Sequence, residues 1–222
     1  VCSPSRSALI TGSHAIRLGT HDHRSSRTKE NQIFLPENFK TAPEVFRENG
    51  YETYNSGKDD YNFFYKKSDL YSIMDSKVEN KLAKYGKSGQ GSGDWSDIKS
   101  QKPFFGQVRV SGGKDVGDQL PDLLAKSGYP VVKASQVTVP PQYPDIYEMR
   151  YNIAMHMNSV MQTDIEIGKI LSRLERDGLT DKTIIFVFAD HGSDLPRSKE
   201  FCYSEGLHVP LIISVPESIE GI

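Results

Sequence analysis

The sequence predicts an α/β domain, a doubly wound and mostly parallel sheet flanked by helices. Residues 145–177 carry Ile153, Met157, Val160, Ile167, Leu171 and Leu174 at helical spacing, with Gly178 as a stop. The run 183–189 is continuously apolar, as in a strand covered on both faces of a parallel sheet, and 211–215 is another such run. Helix, strand, loop and strand in this order build the arrangement in which sites gather at the carboxyl ends of strands. The methionines of the long helix read as core filler.

Upstream, each element follows from local signals. Cys2 opens a short helix in which Pro4 suits the first turn, where a missing N–H costs nothing, while Ser3 and Ser5 can cap the open amides. A group at Cys2 then faces the positive end of a helix dipole, and Arg6, one turn on, can fold back over it. On these residues alone Cys2 is a plain helix start, a thiol of lowered pKa or part of an anion-binding turn. The run 13–38 holds His14, His21, His23, Arg17, Arg24 and Arg27. It is either a solvated loop or the mouth of a pocket that grips an anionic sugar. Thr41 and Glu44 form a capping-box pattern, Val45 and Phe46 supply the buried side, and Gly50 ends that helix.

A strand over 51–55 leads into Ser56-Gly57-Lys58. Residues 66–102 turn polar and Gly/Ser-rich, as in a surface insertion with Trp95 as its large apolar anchor. A strand over 104–110 closes on Gly112-Gly113-Lys114. A second insertion, 115–144, includes Pro140, Pro141 and Pro144, which forbid regular structure locally.

The 222 residues are enough for one α/β domain with a sizeable core. With 27 Lys+Arg against 29 Asp+Glu the net charge is −2, so no global field draws the chain to nucleic acid or anionic membrane. Any anion site must be built locally. Cys2 and Cys202 cannot make a disulfide scaffold of the small secreted kind. No apolar run reaches the ~18–20 residues of a membrane span. Because the sequence begins at Val1, inside a motif, an upstream strand and any targeting segment are expected outside it.

Cys2-x-Pro4-x-Arg6 followed by Thr11-Gly12 resembles the signature of the formylglycine-dependent type I sulfatases, of the alkaline phosphatase superfamily. The resemblance implies that Cys2 is oxidised to formylglycine by a formylglycine-generating or anaerobic sulfatase-maturating enzyme. The hydrated aldehyde then supplies the oxygen that attacks sulfur. Asp190-His191-Gly192, where the apolar strand ends, is by position either a turn or a site. It is similar to the family's Asp-His-Gly or Asp-Asn-Gly element, which implies one Ca²⁺ held by Asp190 and His191, with further ligands on the upstream strand. Calcium prefers oxygen, which makes His191 an unusual partner.

Lys199-x-x-x-Tyr203-x-x-Gly206 ahead of Val209-Pro210-Leu211-Ile212 resembles the pattern whose lysine bridges sulfate and nucleophile. Gly57-Lys58 matches the family's Gly-Lys-x-His in part. Lys58 stands at the sulfate-binding lysine, but Asp60 replaces the histidine that usually holds the formylglycine hydroxyl. Lys114 stands where a histidine near the leaving group is common, and it can donate a proton or neutralise the leaving oxygen. The implied catalytic set is Cys2, Arg6, Lys58, Lys114 and Lys199. Physically, charge moves toward the leaving oxygen as a sulfate ester breaks, so catalysis wants cations over the sulfuryl oxygens and a donor at that oxygen.

The resemblance implies an alkaline phosphatase-like fold, with 1–222 a partial catalytic domain lacking its amino-terminal strand and a carboxyl-terminal subdomain. It is nearest to bacterial heparan N-sulfatase-like and arylsulfatase-like members. It implies hydrolysis of sulfate esters or sulfamates on a small-molecule or oligosaccharide substrate, in a periplasmic or secreted protein. Competing readings are a phosphoester or phosphonate hydrolase of the same superfamily and a catalytically inactive sulfated-glycan-binding fragment. The superfamily's phosphatases generally use a Ser or Thr nucleophile and two transition metals, which Cys2 with Pro4 and Arg6 argues against.

Overall fold

Four strands pair as two ribbons among the described residues, in a chain that divides into the units Val1–Arg109 and Val110–Ile222. The computed structural model describes residues 1–28, 30–74, 91–98, 102–110, 112–113, 117 and 119–219.

The first unit opens with α1 (Cys2–Thr11), which follows an N-cap at Val1 and stops on Gly12 at φ 62°. Pro4 lies in the first turn as expected, but no side chain caps this helix. Ser3 is instead turned into the core, for reasons that concern the site. In α2 (Ala42–Glu48) the expected capping box is present: the Glu44 carboxylate takes both the amide and the hydroxyl of Thr41, at 2.8 and 2.7 Å. Val45 is exposed rather than buried, and the helix packs through Phe46, stacked on Phe105 at 4.5 Å.

β1 (Glu52–Ser56) and β2 (Phe104–Val108) run parallel, Glu52 opposite Phe104 and Ser56 opposite Val108. Gly57 and Lys58 therefore leave from the carboxyl end of a parallel pair. Gly106 lies under the Tyr54 ring so closely that a Cβ would stand 2.1 Å from a ring carbon. We expect Gly106→Ala to cost about 1–3 kcal/mol by overpacking. Denaturant unfolding checks this, and an unchanged midpoint would show that the Tyr54 ring moves aside.

The expected surface insertion at 66–102 begins as core. Leu70, at the end of α3 (Lys67–Leu70), and Tyr71 are buried with Ile10, Tyr61 and Phe63. The Tyr61 and Tyr71 hydroxyls bond to each other at 2.8 Å, and burial, above all, pushes both phenols up, so they stay protonated. Polar neighbours hid this segment, because Lys67 is itself buried against Asp59 at 3.5 Å. Residues 75–90 lie outside the described residues, while Trp95 is buried as expected.

In the second unit the stretch 115–144 is not an irregular insertion. It contains α4 (Leu120–Lys126), started by Pro121, and Leu120 and Leu124 are buried with Met155. Val137 and Tyr143 are buried with Met149, Ile153 and Ala154. These contacts select the buried face of α5 (Tyr147–Arg176). Met149 and Met155 are core, whereas Met157, Val160 and Leu171 of the expected seam are exposed. Asn158, buried on the same helix, takes the amide of Val132 and donates to its carbonyl.

β3 (Ile185–Phe188) pairs with β4 (Leu211–Ser214) antiparallel, Ile185 opposite Ser214. Within these 222 residues Phe186 is 58% and Ile213 51% exposed. An apolar run specifies neither the direction of its partner nor which of its faces is covered.

Candidate active site

Two segments of the first unit are fastened around α1. Ser7 Oγ takes the Asn62 amide at 2.8 Å, and Arg6 Nη1 donates to the Lys58 carbonyl at 3.0 Å. Ser3 Oγ takes the Arg24 amide at 2.9 Å and lies 3.2 Å from His23 Nδ1. Buried Asn62 closes the cluster by donating to the carbonyls of Thr20 and Asp22, at 3.1 and 2.6 Å, and accepting from the Ser26 amide. So the stretch 20–26 is tied to α1 and to the chain after β1, not merely solvated.

Cys2 is buried in the first turn of α1. Its helix carries Arg6, whose bond to the Lys58 backbone brings two predicted cations into one cluster. Lys58 Nζ lies 2.7 Å from Asp60 Oδ2, and Arg24 Nη2 reaches the same oxygen at 3.2 Å. Asp60 is thus shared by two cations. The Tyr61 and Phe63 side chains, buried directly downstream, hold the segment in place.

The second unit carries the other predicted residues. Asp190 and His191 follow β3, and His191 Nδ1 lies 2.7 Å from the Gly192 carbonyl. A carbonyl only accepts, so Nδ1 holds the proton and Nε2 is the nitrogen able to bind a cation, the arrangement usual for a ligating histidine. Nε2 lies 3.4 Å from Asp190 Oδ1. One cation can meet both atoms at that separation. The pair fits a divalent cation on these grounds, with one oxygen and one nitrogen from this unit.

Lys199 Nζ stands 3.3 Å from Asp194 Oδ1. Its loop is closely folded. A Cβ on Gly192 would meet the Glu205 carbonyl at 2.2 Å, and one on Gly206 would meet that of Ser198 at 2.2 Å. Buried Ser198 donates to the Glu205 carbonyl at 2.8 Å, and Tyr143 donates to that of Pro196 at 2.7 Å. The Arg197 guanidinium lies 3.9 Å over the Tyr203 ring. Lys114 lies outside the described residues, although its neighbours are held by α5: Ser159 and His156 Nδ1 donate to the carbonyls of Gly112 and Gly113.

Sequence reasoning missed Ser3, Ser7 and Asn62 as fasteners and did not join Arg24 to Asp60. A signal existed only for Lys58 and Asp60, whose spacing keeps ammonium and carboxylate within reach.

Comparison with known proteins follows the same residues. The sulfatase family model matches residues 1–221. An ulvan-active sulfatase of Formosa agariphila is 26% identical over 257 residues, covering 100% of this chain and 41% of that protein. The chain therefore spans about two fifths of that relative's length. A solved Bacteroides thetaiotaomicron structure, from work on the metabolism of multiple glycosaminoglycans, superimposes with a TM-score of 0.66 at 20% identity, over 99% of this chain and 56% of the other. A phosphonate monoester hydrolase from Silicibacter pomeroyi gives 0.56 at 15%, over 98% and 59%. These neighbours share the alkaline phosphatase-like α/β fold. With its family match running through both units and every described motif, the chain belongs to the sulfatase family.

Proposed function

We propose that the protein hydrolyses sulfate esters or sulfamates on a sulfated carbohydrate, using a formylglycine made from Cys2 and a Ca²⁺ ion at Asp190 and His191. The observation that carries this is the first-unit cluster, where the helix of buried Cys2 is tied through Arg6 to Lys58. When present, the formylglycine supplies an oxygen nucleophile and the cation withdraws charge from the sulfuryl oxygens. Lys58 binds sulfuryl oxygen, with its ammonium fixed by Asp60. Arg6 links the nucleophile's helix to that lysine. Lys199 is the second sulfate-binding lysine, and Lys114 donates the proton to the leaving oxygen as the S–O bond breaks. The phosphonate monoester hydrolase likeness rests on fold alone.

The ulvan-active relative favours a sulfated polysaccharide or its oligosaccharides as substrate. A periplasmic or secreted location and a maturation enzyme acting on Cys2 belong to the same reading. Among the described residues no helix is long and apolar enough to cross a membrane. The deciding experiment pairs sulfate release from ulvan and glycosaminoglycan oligosaccharides with the mass of the peptide containing residue 2. Turnover with an aldehyde mass is expected. Turnover by a protein whose residue 2 is still a thiol would overturn the nucleophile assignment.

A further inference from the structure

We infer that Arg24 binds a second anionic group of the substrate, a carboxylate or a further sulfate on the sugar, beside the sulfuryl group held by Lys58; this rests on the sulfatase reading above. Arg24 and Asp60 both have left-handed backbones, at φ 58° and 54°. For residues other than glycine that conformation is strained. Both are held there by local bonds, the Arg24 amide to Ser3 Oγ at 2.9 Å and the Asp60 amide to Asp59 Oδ1 at 2.8 Å. Their side chains then meet each other, Nη2 to Oδ2, at 3.2 Å.

A pair with one partner 43% exposed contributes little stability, too little to account for two strained residues. What the strain achieves is placement. The oxygen that takes Arg24 also takes Lys58 at 2.7 Å, so guanidinium and ammonium stand side by side at one carboxylate oxygen. Exposure rises from Asp60 at 0% through Lys58 at 14% to Arg24 at 43%, which makes Lys58 the inner cation and Arg24 the outer. Asp60 engages one edge of the guanidinium. The rest of its planar fork suits a carboxylate or sulfate, which it can grip through two parallel hydrogen bonds. In a chain of net charge −2, two cations held side by side are what a polyanionic sugar requires.

The test measures binding by calorimetry in the Cys2→Ala protein, so that turnover does not intervene. The ligands are a monosulfated sugar, its uronate-bearing counterpart and its disulfated counterpart. Arg24→Gln is expected to weaken at least one doubly anionic ligand about tenfold more than the monosulfated one. The ligand that loses more identifies the second group as carboxylate or sulfate. Equal losses for all three, or no loss for any, would overturn the inference. If Arg24→Gln does not fold, Arg24→Lys decides: it keeps the charge without the fork, so the doubly anionic ligands again lose more than the monosulfated one, and equal affinities relative to wild type would sink the idea. The sulfatase reading fails separately, by absence of sulfate release from the unmutated protein once the residue 2 peptide carries the aldehyde mass.

Discussion

Replacing Cys2 by alanine is expected to abolish sulfate release while leaving the fold intact. Cys2 is a buried residue in the first turn of α1, where alanine is the best helix former and the only atom lost is sulfur. The bonds by which Ser3, Arg6 and Ser7 seat the helix remain. Chemistry responds differently, because a methyl group offers neither a thiol to oxidise nor an oxygen to attack with, and the covalent route is lost. We expect at least about a thousandfold loss, down to what binding and electrostatics give without a nucleophile. Initial-rate sulfate release and thermal unfolding measured on one preparation check both halves. An alanine variant within tenfold of the parent would remove Cys2 from the chemistry, and a large fall in unfolding temperature would show it to be structural.

The places of many candidate residues in each unit were legible in the sequence because they are close along the chain or follow strands. Cys2, Pro4 and Arg6 share one helix, Lys58 leaves the carboxyl end of β1, and Asp190 leaves that of β3. Long helix α5, the capping box of α2 and the positions of all four strands follow from periodicity and local signals. Other features depend on pairs remote in sequence. Asn62 fastens residues 20–26, and Arg24 meets Asp60, through bonds that no local pattern announces. Lys67 looked like a surface charge because its partner Asp59 is on another segment. Similarly, Pro140, Pro141 and Pro144 marked 115–144 as irregular, while Leu120, Leu124, Val137 and Tyr143 within it supply much of the cover for α5. The antiparallel direction of β4 against β3 is likewise not encoded in composition.

Lys58→Ala is expected to lower kcat/KM by about a hundred- to a thousandfold, the scale of one removed electrostatic donor in a dry site. The sequence suggests a change in rate with little change in stability. The structure adds a stability term, because Lys58 Nζ lies 2.7 Å from the fully buried Asp60 side chain. Without the lysine that carboxylate keeps Arg24 but loses its shorter ion pair, at a cost of about 1–3 kcal/mol. The two effects separate in a double-mutant cycle. Asp60→Asn removes the charge that needs compensation, so Lys58→Ala/Asp60→Asn should recover much of the lost stability while kcat/KM stays low, since the cation over the sulfuryl oxygens is still missing. Four proteins, an aryl sulfate assay and urea unfolding suffice. If the double variant regained both stability and rate, the work of Lys58 would be to satisfy Asp60, and the sulfate-binding role would have to pass to another cation of the cluster, with Arg6 and Arg24 the candidates already tied to this segment.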